Sequence, residues 1–222
     1  MNRALLLGSL LSLTALAPLA AGCASESADD ASSDEALTEY DGVVKNGTKI
    51  ESSTTPTSTE SARTRIVGFV KGRAPSAVAG QLLKVARWKE VEDSDGWKPF
   101  TAAKVTSDDT DGGTRTVAAH LSLDGGVDLD VRATSKAGEE QTVVSFTNTS
   151  EYRHWLAGTV LEKGKLKIDV KLVPHTKDGA ADGTIVDATA KVKLVTAEDR
   201  AAGLTKALVP IFAWVKSTTP AP

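Results

Sequence analysis

Chemistry-bearing side chains are sparse in this chain. Its one cysteine, Cys23, stands directly after Leu19-Ala20-Ala21-Gly22, and a single thiol can close no internal disulfide and make no paired-cysteine metal site. No His-x-x-x-His pair, no Gly-x-Ser-x-Gly elbow and no phosphate-cradling glycine loop occurs. His120 falls on the polar side of an alternating segment and His175 follows Pro174 at a strand end; both are positions of solvated residues. His154 lies in Glu151-Tyr152-Arg153-His154-Trp155, the densest polar and aromatic cluster of the chain. Such a cluster at a strand entrance either lines the mouth of a cavity or is an ordinary loop with Trp155 in the core. Ser107-Asp108-Asp109-Thr110-Asp111-Gly112 begins like a calcium loop, but the position that needs a bidentate Glu is Ala118, so the segment reads as a polar hairpin turn. Titratable groups do not converge, which favours binding over catalysis and implies no cofactor and no metal.

The surroundings of Cys23 carry the clearest signal. Met1, Asn2 and Arg3 precede an apolar run from Ala4 to Ala21, broken only by small polar residues, Gly8 and Pro18. That is the pattern of an export signal. The run is at the short end for crossing a bilayer and carries Pro18 near its end, which argues against a membrane-spanning helix. Its close, Leu19 to Cys23, resembles a bacterial lipobox, with Ala20 where Leu is commoner. The resemblance implies that residues 1–22 are removed as a lipoprotein signal peptide and that Cys23 is the lipid attachment site, diacylglycerylated on its thiol and acylated, as by palmitate, on its new amino group. Acyl chains buried at about 0.8 kcal/mol per methylene would then hold the mature protein on a membrane. In a host with two membranes the outer one is favoured, because Ala24 is not the Asp that retains many lipoproteins at the inner membrane.

Positioning elements come next. The chain has 222 residues, 41% of them hydrophobic, and a formal net charge of -3, enough for one core and without the basic excess of a nucleic-acid partner. Ala24 to Tyr40 is mostly Ala, Ser, Asp and Glu with no basic residue, and Glu51 to Ser61 is mostly Ser, Thr and Pro. Neither can bury enough apolar surface to offset its ordering entropy, so residues 23–62 read as an acylated cysteine and a disordered tether. Within them only Gly42 to Ile50, with Asn46-Gly47, carries a hairpin-like signal that would place an edge strand.

The folded domain is expected over residues 63–217, with a disordered tail at 218–222. Ile66, Val67, Phe69 and Val70 form a buried strand. After Pro75, Ser76 is placed to cap a helix whose stripe is Val78, Leu82 and Val85, ending near Trp88. From Trp97 the period changes to two. Strands are expected at Phe100–Ser107, 114–123, 127–134, 142–147, 155–161, 166–172 and 186–194, joined by short polar or glycine-bearing turns that imply an antiparallel meander. Thr196 with Asp199 is close to a capping box for a last helix, 197–216, with Leu204, Leu208, Ile211 and Val215 on one stripe and Pro210 inside it as a kink or hinge. Such a helix must cover the apolar face of the sheet.

Ala74-Pro75-Ser76-Ala77-Val78 through Leu82-Leu83-Lys84-Val85-Ala86-Arg87-Trp88, followed by a long meander and a closing helix, resembles the START-like (SRPBCC) helix-grip superfamily that includes polyketide cyclases and the birch-pollen allergen. The resemblance implies an α+β fold, a curved antiparallel sheet of seven to eight strands gripping a C-terminal helix; a lipocalin-like β-barrel with a C-terminal helix is the alternative. Either encloses an apolar cavity, expected to be lined by Tyr152, His154, Trp155, Leu208 and Pro210. The function implied is binding of a small hydrophobic molecule or lipid by a membrane-anchored domain. The alternatives are a polyketide cyclase or dehydratase-like enzyme, and a structural cell-envelope protein without a ligand. The lipobox reading has a direct test: a fatty-acid probe fed to the host labels the protein, Cys23→Ala removes the label, and a fully labelled Cys23→Ala variant refutes it.

Overall fold

The structure, a computed structural model, describes residues 33–55, 60–124, 126–154, 159–194 and 200–219. Cys23, Trp155, Thr196 and Asp199 lie outside these residues.

Three helices, α1 (Ser33–Asn46), α2 (Pro75–Leu82) and α3 (Arg200–Thr218), accompany ten strands. The strands are β1 (Lys49–Thr55), β2 (Glu60–Lys71), β3 (Phe100–Asp111), β4 (Thr114–Leu123), β5 (Val127–Ala137), β6 (Thr142–Asn148), β7 (Tyr152–His154), β8 (Thr159–Leu161), β9 (Leu166–Lys177) and β10 (Ala180–Leu194). Eight of them form one curved antiparallel sheet in the order β1-β2-β10-β9-β6-β5-β4-β3, while β7 and β8 pair apart from it. β1 and β3 are its free edges, so the sheet stays open and the lipocalin-like barrel is excluded. The meander runs from β3 to β10 with the small hairpin β7–β8 inserted. β2 adds beside β10 and not beside β3, so the chain must cross from one side of the sheet to the other. It crosses on the concave face, through α2 and a 3-10 helix at Val85–Glu90.

Local detail departs from the pattern reading where tertiary contacts outweigh local signals. Ser76 does not cap α2: Ala74 occupies the cap, and Pro75 takes the first turn, where its missing N–H costs nothing. The helix ends at Leu82, and Val85 and Trp88 reach the core from the 3-10 turn, with the Trp88 indole donating to the Leu82 carbonyl at 3.1 Å. The polar stretch Asp108 to Asp111 is strand, and only Gly112-Gly113 turns, both with positive φ. Arg115 holds Asp108 across the pair at 2.9 and 2.7 Å, and this hydrogen bonding keeps the carboxyl below its ordinary pKa. The loop expected over residues 176–183 is likewise mostly strand, turning tightly at Asp178-Gly179.

The largest departure is in the expected tether. From Ser33 the chain is helical and from Lys49 it is the edge strand paired to β2. The acidic composition of α1 is what docks it. Arg65, on the convex face of β2, donates from Nε and Nη2 to Asp187 at 3.0 and 2.7 Å and from Nη1 and Nη2 to Glu39 at 3.1 and 2.8 Å. Tyr40 donates its hydroxyl to Asp187 at 3.1 Å, and Lys49 donates to Glu39 at 2.9 Å. Beside this cluster Val43 is buried against Val67 and Ile185. Burial works upward on the Glu39 carboxyl, but hydrogen bonds from Lys49 and Arg65, with their charges, hold it below its ordinary range.

The Tyr40 phenol is pushed up to about 12, first by burial and then by the charge and hydrogen bond of Asp187. A folded-state value above the unfolded one of 10.0 means that this contribution is fully present below pH 10.0 and is lost as pH rises through about 12. Urea midpoints measured across that window should fall in the native chain, and Tyr40→Phe should flatten that part of the profile. Identical profiles for the two proteins would contradict the docking of α1.

Candidate functional site

α3 lies across the concave face because its apolar stripe has nowhere else to go. Leu208, Ile211, Trp214 and Val215 are buried in the same core as Ile66 and Val70 of β2, Val144 and Phe146 of β6, Val170 and Leu172 of β9, and Val186 and Ala190 of β10. Closest approach comes at Gly68: a Cβ there would stand 2.1 Å from Cζ of Phe212, so glycine is what lets the ring rest on the strand backbone. The C-terminal end of α3 is tied by polar contacts. Gln81 donates from Nε2 to the Thr218 hydroxyl at 2.6 Å, and Arg73 donates from Nε to the Thr219 carbonyl at 2.8 Å. Toward its N-terminal side, the Lys206 ammonium stands 4.4 Å from the Trp97 ring centroid, and Trp97 donates in turn to Asp124 at 2.7 Å.

Between these ties a cavity of about 40 Å³ remains. Its walls are Ile66, Val170, Val186 and Ala188 from the sheet's centre, Phe146 and Ile168 beside them, Leu82 and Trp88 at one side, and Leu208, Ile211, Phe212 and Val215 above. Every wall side chain is apolar or aromatic, and the only side-chain N–H among them, that of Trp88, is already bonded to Leu82. A space so lined offers dispersion contacts and exclusion of water. Among the described residues its wall presents no acid, base or nucleophile.

Of the residues singled out from sequence, Leu208 lines the cavity. Pro210 does not: it is buried within α3, which continues through it. Tyr152, in β7, is half-buried against the margin of the core and is not among the wall residues. His154 is paired through its backbone with Thr159 in the β7–β8 hairpin, and Trp155 lies outside the described residues. The strand-entrance cluster therefore does not converge with Leu208 on one site. His120 is exposed and bonded to Asp130 at 2.8 Å. His175, read as solvated, is instead mostly covered: its ring meets Phe69 edge-on at 5.3 Å, 3.4 Å from Asp182 and 4.0 Å from Asp41 of α1. Sequence reasoning missed every described wall residue except Leu208, although the inward positions of Ile168, Val170, Val186 and Ala188 were readable from the alternation.

The architecture is that of a helix-grip fold. This rests on the chain's own strand order, the crossing of α2 and the placement of α3 over the concave face. No protein-family model and no curated protein matches the chain. Solved structures similar to it include an uncharacterised protein from Rhizobium leguminosarum, with 12% identity over 77% of this chain and 95% of that one and a TM-score of 0.43. Ara h 8.0201 is similar with 14% identity, 78% and 96% coverage and a TM-score of 0.37. The Zhui aromatase/cyclase from Streptomyces sp. R1128 is similar with 13% identity, 71% and 93% coverage and a TM-score of 0.40.

Grip by α3 is testable through Leu208, which is buried and faces the cavity. Truncation to Ala should cost about 2 to 5 kcal/mol, the range of core truncations, read as a lower urea midpoint at unchanged slope. A near-neutral Leu208→Ala would mean that α3 is not held against the sheet.

Proposed function

We propose that the chain is a membrane-anchored lipoprotein whose exported domain holds a slim hydrophobic molecule, such as the end of a lipid chain, between the sheet and α3, and performs no chemistry on it. The observation that carries this reading is the wholly apolar wall formed by the described residues of the cavity, closed by a helix held by hydrogen bonds to Thr218 and Thr219 at its C-terminal end. Catalysis of the cyclase or dehydratase kind would require an acid or base at the wall, and none of the described wall side chains ionises. Anchoring rests on Cys23 and the apolar run before it.

Size favours a second reading. Ligand sites commonly measure about 300 Å³ or more, whereas this cavity measures about 40 Å³. Binding therefore requires α3 to move outward, and Pro210 supplies a place for it: lacking an N–H, it leaves the Lys206 carbonyl without its helical donor, so the segment before it can pivot while the end at Thr218 and Thr219 stays tied. If α3 does not move, the domain is a structural cell-envelope module with a packing void.

Ala188→Leu separates the two. On the binding reading, native mass spectrometry of protein purified from its own host shows a retained lipid or isoprenoid, a fluorescent fatty-acid analogue binds saturably, and Ala188→Leu abolishes both by filling the wall. On the structural reading nothing is retained, the probe does not bind, and the substitution only fills a void and changes stability.

A further inference from the structure

The convex face of the sheet carries a charge arrangement that folding alone does not explain. Arg63 of β2 stands directly opposite Lys191 of β10, which stands directly opposite Lys167 of β9. One step along, Lys193 and Lys165 are joined by a backbone bond of 2.9 Å, and past Thr147 of β6 the same row as Lys167 reaches Arg132 of β5. All six side chains are exposed, and none is among the hydrogen bonds or ion pairs of the described residues. Carboxylates on that face around the row, Asp169, Asp130 and Glu51, are engaged by Ser145, His120 and Lys49. Like charges directly opposite each other on neighbouring strands are destabilising, and here three stand abreast without a counter-charge in a chain whose formal net charge is -3.

The second observation is where the N-terminal segment meets the domain. α1 lies on this same convex face. Glu39 meets Arg65, Tyr40 meets Asp187 (the partner of Val67), and Val43 packs on Val67 and Ile185, so α1 runs along β2 in the direction of increasing residue number. Six residues before Glu39, at a rise of about 1.5 Å each, its first turn lies roughly 9 Å back, at the Arg63 end of the sheet. The chain therefore leaves the domain beside the cationic row. Cys23 precedes Ser33 by ten residues, a span of at most about 35 Å.

We infer that the row Arg63, Lys191, Lys167 with Lys193, Lys165 and Arg132 is a docking surface for the anionic headgroups of the bilayer on which the protein is anchored, and that it seats the domain with its convex face toward the lipid. This rests on the anchoring proposed above for the choice of partner, but the contact itself needs no acyl chain. Headgroup phosphates supply the counter-charges that the protein omits, each cation contributing about a fivefold gain in partitioning onto an anionic surface. Salt screens such contacts.

Flotation of the full chain in its Cys23→Ala form tests the surface without acylation. Mixed phosphatidylcholine and phosphatidylglycerol vesicles should be preferred over phosphatidylcholine alone, and high salt should erase the preference. In the same background K167Q/K191Q/K193Q should lower the preference about a hundredfold, whereas K71Q/K177Q, at the far end of the same face, should change it little. Unchanged circular dichroism of the triple variant shows that the loss is not unfolding; if that variant does not fold, K191Q alone, with about a fivefold loss, serves. No preference for anionic vesicles, or equal losses in the two sets of variants, overturns the proposal. Binding of a soluble polyanion such as heparin through the same lysines without vesicle preference also overturns it and reassigns the surface. Because Cys23 is already substituted, failure of the lipoprotein reading leaves these outcomes unaffected.

Discussion

β2 is apolar on both faces, and the fold is arranged around covering it twice. The run Ile66-Val67-Gly68-Phe69-Val70 is continuous where a strand with one wet face would alternate. Ile66 and Val70 turn to the concave side and need α2 and α3; Val67 turns to the convex side with Ile185 and needs α1. Antiparallel sheets can leave one face in water, and this one does so across β3, β4 and β5. Around Val67 of β2 and Ile185 of β10 it does not. The region carrying most burial is thus a three-layer one, helix on sheet on helix, placed next to an edge strand.

Each cover is held by a different device, and the difference decides what each can do. α1 is held by charge. Asp187 is nearly buried, so its carboxylate is tolerable only because Arg65 and Tyr40 satisfy it, and the same guanidinium holds Glu39 with two further N–H groups. A network of this kind contributes less to net stability than to register, since removing one partner strands the others while the intact set roughly offsets its own desolvation. α3 is held by shape. Its ring at Phe212 fits only where β2 lacks a side chain, and among the described residues the hydrogen bonds that tie it to the rest of the domain reach Thr218 and Thr219. An apolar contact without directional bonds can re-form after a small displacement, which is the property a ligand gate requires.

The two faces therefore divide the proposed work. The concave side offers an interior with no ionisable wall, suited to holding an apolar chain and not to transforming it. The convex side offers α1, through which the N-terminal segment arrives, and a row of unpaired cations beside it. On the proposed reading, the domain would meet the membrane with one face while its cavity is closed from the other.

Alternation of side chains was enough, by itself, to place the strands of the meander apart from the one expected at 155–161, where β8 pairs with β7 outside the main sheet, and to place the inward residues of β9 and β10 and a last helix with Leu208, Ile211 and Val215 on its buried stripe. It was enough because burial on one face of a period-two or period-3.6 element is written locally. Chain order with a covering helix likewise indicated the helix-grip class. The double cover of β2 was half legible: an unbroken apolar run announces that both faces are buried but does not say by what. α1 was invisible because its composition is that of a solvated segment, and only Arg65 and Asp187, 122 positions apart, make its acids structural. The site was misread for the same reason. Tyr152, His154 and Pro210 stood out by residue type, whereas the cavity is bounded by ordinary apolar residues from β2, β6, β9, β10, α2 and α3. The row of cations was visible as scattered lysines on separate strands, and only the register placed Arg63, Lys191 and Lys167 side by side. Pairing between distant strands is set by the whole sheet, and no local window of sequence contains it.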